Sequence, residues 1–174
     1  MPNPVVTIKK PYRPELLAVV QHAIEKILED GGEVYEFGSG HSTVWFAQFS
    51  KVVSVESDEG WYKEVRKALR RSKLKASLYL VEPETMAATV DAYDMFDLIL
   101  VDCVDAYRND AVYRAMPHVK PGGWLILDDS QWPMLARARK LLSAWPWTIV
   151  KGMHRRHSGD VRDHQTSLYR RPDG

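Results

Sequence analysis

Short apolar runs alternate with amphipathic segments along almost the whole chain. The apolar runs are rich in β-branched residues, as strands are, and residues 96–101 are apolar at nearly every position. A run of that kind is typical of a strand buried on both faces of a parallel sheet. Strands that alternate with helices predict an α/β fold with a doubly wound, mostly parallel sheet.

The pattern places seven strands and five helices. The strands are expected at residues 34–37, 52–55, 78–81, 96–101, 124–127, 148–150 and 166–169. The helices are expected at residues 14–29, 43–49, 58–69, 107–119 and 133–144. In such sheets a ligand binds beyond the carboxyl ends of the strands, so the polar residues that follow each strand are the candidates for function.

Composition narrows the class of protein. The 174 residues, 20.0 kDa, are enough for one domain with its own core, and we expect residues 1–174 to form one domain. A net charge of +1 argues against nucleic acid as the partner. The single cysteine, Cys103, excludes a disulfide framework. Residues 1–10 contain no long apolar stretch, so we expect no signal peptide, no membrane span and a cytoplasmic location.

The turn after the first predicted strand combines glycines with an acid. Gly38 and Gly40 allow tight turning and close approach of a ligand to the backbone. Glu56, twenty residues after Glu36, ends the second strand and can accept hydrogen bonds from both ribose hydroxyls of a nucleoside. Glu36 would repel a pyrophosphate but attract a cation, and Thr43 stands where a dinucleotide site has its third glycine. The pattern favours S-adenosylmethionine, which carries an ammonium and a sulfonium, over NAD.

Four segments resemble, in order and spacing, the motifs of class I S-adenosylmethionine-dependent methyltransferases. They are residues 34–42, 52–56, 96–102 and 120–127. The resemblance extends from about residue 14 to 170. It implies a three-layer α/β/α Rossmann-like sandwich whose seven-stranded, mostly parallel sheet has an antiparallel last strand. The chain departs from the pattern at Ser42, where many members have a third glycine.

The resemblance also implies which residues bind the cofactor. They are Glu36, Gly38, Ser39, Gly40, Glu56, Ser57, Glu82 and Asp102. The residues of the glycine turn would surround the methionine part, and Glu56 would hold the ribose. Ser57 and Glu82 would lie near the adenine, although Glu82 is equally explained as a solvated loop acid before Pro83.

Three carboxylates end the fourth and fifth predicted strands, and they are Asp102, Asp128 and Asp129. Gathered at one sheet edge they repel one another unless a positive charge lies among them, and Mg2+ would supply it. The segment also resembles the metal-binding strand end of divalent-metal-dependent O-methyltransferases, with Asp129 where those proteins have Asn. The alternatives are that Asp128, Asp129 or Ser130 caps the next helix, or that Asp102 acts alone or holds the methionine ammonium.

The function implied is methyl transfer from S-adenosylmethionine by direct in-line displacement, to an oxygen of a small molecule or sugar. Asp102 is the candidate catalytic residue, and a metal would lower the pKa of the acceptor hydroxyl. The alternatives are a non-catalytic nucleotide-binding module and an NAD-dependent oxidoreductase. The chain lacks the motif typical of amino-methylating enzymes, since Asp102-Cys103-Val104-Asp105 stands there, which argues against N-methylation of bases.

Three segments would then select the acceptor. They are the N-terminal extension, residues 1–13, with Tyr12 and Arg13, the loop at residues 103–110, and residues 151–165. The last of these is rich in His and Arg and is expected to be a mobile loop. A second copy of the chain, in a homodimer, could also complete the pocket.

Overall fold

The computed structural model describes Ile8, residues 12–155 and residues 161–174. Seven strands form one sheet in the order β3-β2-β1-β4-β5-β7-β6. The strands are β1 Glu33–Phe37, β2 Lys51–Glu56, β3 Ser77–Leu80, β4 Phe96–Val101, β5 Val119–Leu127, β6 Trp147–Arg155 and β7 Val161–Arg170. Strands β1 to β5 pair in parallel, and β7 runs antiparallel to both β5 and β6. The predicted antiparallel last strand is confirmed.

Helices cover both faces of the sheet. They are α1 Ala18–Ile27, α2 His41–Phe46, α3 Glu59–Ser72, α4 Pro83–Met86, α5 Asp105–Ala115 and α6 Ala136–Leu142. Alternate residues of β4 point to opposite faces, so Leu98 and Leu100 join the core beneath α1, whereas Ile99 and Val101 join the core beneath α5. All four are fully buried or nearly so. Burial on both faces explains the continuous apolar run, and the three-layer sandwich is confirmed.

The prediction of a mobile loop at residues 151–165 is wrong for most of this segment. Strand β6 continues to Arg155 and β7 already begins at Val161, so the two strands pair from Trp147 and Tyr169 outward to Arg155 and Val161. Residues 156–160 lie outside the described part of the chain. The buried positions of β7 from His164 to Ser167 are polar and gain hydrogen bonds instead of apolar contacts, so the sequence pattern predicted only residues 166–169 as a strand.

Several helix bounds differ from the prediction. Helix α1 begins at Ala18 rather than residue 14, because the Gln21 side chain donates to the carbonyls of Pro14 and Leu16 and holds the preceding segment in another conformation. Helix α5 starts at Asp105 and ends at Ala115, earlier at both ends than expected. Helix α4 and the 3-10 helix after it were not predicted at all, because four residues are too few to show a period.

The N-terminal extension is described only in part. Ile8 is buried in the cluster formed by α2 and α3. None of the helices in the described ranges combines the length and the apolar character that crossing a bilayer requires.

Candidate functional site

The carboxyl ends of the central strands meet at one edge of the sheet. Phe37, the last residue of β1, is in register with Val55 of β2 and with Val101 of β4. Val101 is in turn in register with Leu127 of β5. The residues that follow these positions therefore converge, and they include Glu56, Asp102, Asp128 and Asp129. The parallel sheet thus brings together the acids that the sequence singled out.

Gly38 lets the turn after β1 pass close to the end of β4. Its φ is +91°, and a Cβ at this position would lie 2.8 Å from the carbonyl carbon of Asp102 and 2.9 Å from Cα of Cys103. Gly40 differs, because its φ is −179° and a Cβ there would meet only the Ser42 hydroxyl, at 3.9 Å. Gly38 is thus explained by contact within the protein, whereas Gly40 borders open space.

Glu36 lies beneath the glycine turn rather than beside a ligand, which corrects the predicted contact with the cofactor. It is completely buried, and its carboxylate accepts hydrogen bonds from the hydroxyls of Ser42, Thr43 and Ser54. The Thr43 hydroxyl also accepts from the Gly40 amide at 2.9 Å. Burial raises the pKa of Glu36 to about 7, although the three hydrogen bonds to its carboxylate act to lower it. Glu36 therefore supports the turn from behind.

Glu56 closes the end of β2 against the glycine turn. Its Oε2 accepts from the amide and the hydroxyl of Ser39, at 2.8 and 3.0 Å. Its Oε1 accepts from the amides of Ser57 and Asp58, both at 2.8 Å. These four donors match the roughly four acceptor positions of a carboxylate. Glu56 is buried and fixed in orientation, directly beside the turn.

The other two residues expected near an adenine differ from each other. Ser57 is half-buried, and its amide helps to hold Glu56. Glu82 is exposed, precedes Pro83 at the start of α4, and makes no side-chain capping hydrogen bond. Its surroundings are those of the solvated loop acid that was the alternative interpretation.

Asp102 is held by an arginine that the sequence did not point to. Nη2 of Arg108 donates to Oδ1 of Asp102 at 2.8 Å, Nε donates to the carbonyl of Cys103 at 2.6 Å, and Nη1 donates to the carbonyl of Asp128 at 2.8 Å. Arg108 is 6% exposed and ties the end of β4 to the end of β5. Desolvation and the nearby Asp128 carboxylate raise the pKa of Asp102, although Arg108 opposes them.

Asp128 and Asp129 face residues of β7. Asp128 Oδ1 lies 2.9 Å from Nε2 of His164 and accepts from the Thr166 hydroxyl at 2.7 Å. Asp129 Oδ2 accepts from Nη2 of Arg162 at 2.7 Å, and its Oδ1 lies 3.3 Å from Nδ1 of His164. Burial opposes the charge on His164, but the two carboxylates outweigh it and raise its pKa to about 9. Asp129 adopts a φ of +50°, which is uncommon for a residue other than glycine.

The predicted magnesium ligand set is not the one the fold brings together. The candidate ligand atoms of Asp128, Asp129 and His164 lie within 4.8 Å of one another, but Asp102 is not among them and is paired with Arg108. The carboxylates of Asp128 and Asp129 are engaged by His164 and Arg162, and Mg2+ prefers oxygen ligands and its own waters. These donors do not fit Mg2+. His164 and Arg162 were missed because they are more than thirty residues away in the sequence.

The N-terminal residues expected to select an acceptor lie far from this edge. The Tyr12 hydroxyl accepts from the hydroxyl of Ser72, the last residue of α3, at 2.6 Å. Because α3 has 14 residues, its two ends are separated by roughly 20 Å. Tyr12 and Arg13 instead line a cavity of about 490 Å³ with Trp45 and Phe49, beside the ends of α2 and α3.

Comparison with known proteins identifies the class of protein to which this fold and this site at the carboxyl edge belong. A family model described as a methyltransferase domain matches residues 35–130, more than half of the chain. The chain therefore belongs to this methyltransferase domain family, and the family resemblance seen in the sequence is confirmed. A comparison with curated proteins gave no significant match.

Solved structures with the same fold have low sequence identity to this chain. An O-methyltransferase from Bacillus cereus in complex with SAH has a TM-score of 0.67 at 18% identity, covering 91% of this chain and 84% of that one. The O-methyltransferase TomG from Streptomyces achromogenes, in complex with SAM, has a TM-score of 0.68 at 16% identity, covering 90% and 82%. A precorrin 8W decarboxylase from Methanobacterium thermoautotrophicum has a TM-score of 0.66 at 18% identity, covering 94% and 96%.

Proposed function

We propose that this protein is an S-adenosylmethionine-dependent methyltransferase that methylates an oxygen of a small molecule or sugar. One observation carries the proposal, and it is the fixed position of Glu56 beside the glycine turn, bonded to the amide and hydroxyl of Ser39. An acid at this place, at the end of the second strand, can accept hydrogen bonds from the two hydroxyls of a ribose. Membership of the methyltransferase family supports the same cofactor.

The residues at the edge suit this cofactor. Glu56 would receive a ribose hydroxyl in exchange for the hydroxyl of Ser39, and the open space beside Gly40 leaves room for the methionine part. S-adenosylmethionine supplies a methyl group activated by a sulfonium. Asp102 is the candidate base for the acceptor hydroxyl, because it directly follows β4 at this edge, its side chain is 38% exposed and Arg108 fixes its orientation. We propose no divalent metal in this role.

The choice of oxygen as the accepting atom draws on the solved structures of similar fold. Two of those reported above are named as O-methyltransferases, from Bacillus cereus and Streptomyces achromogenes. The decarboxylase of the same fold is a reminder that the fold alone does not select a reaction. The proposal that the accepting atom is an oxygen is therefore tested by a direct assay of methyl transfer to hydroxyl-bearing small molecules.

The first test is calorimetric titration of the protein with S-adenosylhomocysteine. We expect saturable binding that Glu56→Gln weakens at least tenfold, because the amide nitrogen of Gln presents a donor where ribose hydroxyls need an acceptor. Glu59→Gln is the matched control, because Glu59 lies in the first turn of α3 with an exposed side chain and pairs only with Lys63 among the recorded ion pairs of the described residues. Binding of NAD instead would favour the oxidoreductase alternative, and cofactor binding without turnover would favour the non-catalytic module.

Three further properties stay predictions from the sequence. They are the organisation of residues 1–174 as one domain, a cytoplasmic location, and a homodimer. Sedimentation at several protein concentrations would separate a monomer from a homodimer, with and without S-adenosylhomocysteine.

A further inference from the structure

Each of the three acids once expected to share a metal has a basic partner of its own. Asp102 pairs with Arg108 at 2.8 Å, Asp129 pairs with Arg162 at 2.7 Å, and Asp128 lies 2.9 Å from Nε2 of His164. Side chains of the protein therefore offset much of the repulsion among the carboxylates, which was the physical reason for expecting a cation.

The two arginines come from elements on different sides of the acids. Arg108 belongs to α5 and reaches the edge from the β4 side, and Arg162 belongs to β7 and reaches it from the other side of β5. Both are permanently charged at any pH at which the protein is folded. The compensation of Asp102 and Asp129 therefore does not depend on the protonation of His164.

The pairing uses the atoms that a cation would need. Arg162 occupies Oδ2 of Asp129, while Oδ1 of the same carboxylate faces His164 at 3.3 Å and accepts from the side-chain amide of Gln131 at 3.3 Å. A divalent ion bound to either oxygen would lie within a few ångströms of a guanidinium group, and the two like charges would repel strongly in this buried place.

We propose that Arg108 and Arg162 take the place of a divalent cation at the carboxyl edge, so that the acidic strand ends are held together by charges of the protein itself. Arg108 fixes Asp102 and the end of β5, and Arg162 fixes Asp129 in its left-handed conformation. The consequence for turnover, which rests on the proposed function, is that methyl transfer does not require a divalent metal. The metal-binding statement itself does not rest on that function.

The first test uses the unaltered protein and no cofactor. After treatment with a chelator and dialysis, it is titrated with MgCl2 and MnCl2 in a calorimeter, and its Tm is followed in parallel against NaCl of equal ionic strength. We expect no saturable heat and no rise in Tm beyond that in NaCl at millimolar concentrations of either metal. Stoichiometric binding that Asp129→Asn abolishes would overturn the proposal.

The second test removes the charge that stands in for the metal. In Arg162→Gln, Asp129 loses its permanent counter-charge, and we expect Tm to fall by roughly 5 °C or more. Divalent cations should then restore much of the lost Tm, because the vacated carboxylate oxygen becomes available. Arg162→Lys keeps the charge and should stay insensitive to metals.

Arg170→Gln is the matched control on the same strand. Arg170 pairs with Asp173, whose side chain is 70% exposed, so its loss should change Tm little and should create no response to metals. A folded Arg162→Gln protein whose Tm no divalent cation raises would contradict the proposal. If that variant does not fold, the titration of the unaltered protein still decides. Neither test involves S-adenosylmethionine, so failure of the proposed function would not be mistaken for failure of this inference.

Discussion

Ser39 and Glu56 are joined twice, because both the amide and the hydroxyl of Ser39 donate to the same carboxylate oxygen, Oε2. The amide bond orients the turn after β1. The hydroxyl, by contrast, occupies an acceptor position that an incoming ribose hydroxyl would need. The free protein thus satisfies a buried carboxylate with a side chain that a ligand can displace.

Removing that hydroxyl should therefore strengthen cofactor binding. We expect Ser39→Ala to bind S-adenosylhomocysteine about 2- to 10-fold more tightly, since the ligand no longer breaks a hydrogen bond worth about 0.5–1.5 kcal/mol. The affinity is measured by calorimetry. Ser77→Ala, at the exposed start of β3, serves as the control and should leave it unchanged. Weaker binding by Ser39→Ala would show instead that the hydroxyl contacts the ligand.

The two glycines of the turn should differ in their tolerance of a side chain. Gly38→Ala places a Cβ against the backbone of Asp102 and Cys103 at a positive φ, so we expect a loss of at least about 1–3 kcal/mol of unfolding free energy. Position 40 has an extended φ and open space for a Cβ, so Gly40→Ala should lower the unfolding free energy by no more than about 0.5 kcal/mol. Urea denaturation of both variants checks this, and equal losses would contradict it.

Glu36 should make stability depend on pH. Its pKa is about 7 in the folded protein against an ordinary 4.5, so the folded protein binds more protons between these values. Its stabilising contribution is then complete below pH 4.5 and is lost as the pH rises to about 7, with a total on the order of 3 kcal/mol. Glu36→Gln, which cannot ionise, should flatten this part of the curve.

The comparison is made by urea denaturation between pH 4.5 and 8 with both proteins, and the difference between the two curves isolates Glu36 from other titrating groups. Glu59→Gln, an exposed change at the start of α3, should keep the slope of the unaltered protein. A Glu36→Gln curve parallel to that of the unaltered protein would show that Glu36 titrates normally.

Arg108 should act on turnover through Asp102. Arg108→Lys can replace only one of the three hydrogen bonds that the guanidinium donates, so Asp102 and the end of β5 lose their fixed orientation. We expect kcat to fall at least about tenfold, with a much smaller change in the affinity for S-adenosylhomocysteine. Arg114→Lys, on the exposed part of the same helix, is the control. A parallel loss of kcat and cofactor affinity would indicate general loosening of the site.

The sequence predicted the sheet well because its strands carry a local signal. The apolar run at residues 96–101 is strand β4 without a change of bounds, and α3 begins at Glu59, one residue after its predicted start. The site was predicted only where it is built from residues that directly follow strands. Glu56 fits this rule, whereas Arg108 and His164 act through contacts that depend on tertiary packing.

The same limit explains the errors. Glu36 was expected near a ligand because the sequence shows its charge but not its burial. The three hydroxyls that donate to its carboxylate come together only in the folded chain. Residues 161–165 were expected to belong to a polar loop because His164 is buried for its hydrogen bond to Asp128 and not for apolar contacts. Polar residues inside a strand remove the alternation on which sequence patterns depend.

The place of β7 between β5 and β6 also bears on how the chain folds. Residues 125–127 of β5 pair with residues 167–169 of β7, which follow about forty residues later in the chain. Until that late pairing forms, β5 presents an open apolar edge, and contacts so distant in sequence form slowly. A β6–β7 hairpin from a neighbouring molecule could fill the same edge. Strand exchange between nascent chains is therefore the misassembly to which this topology is most exposed.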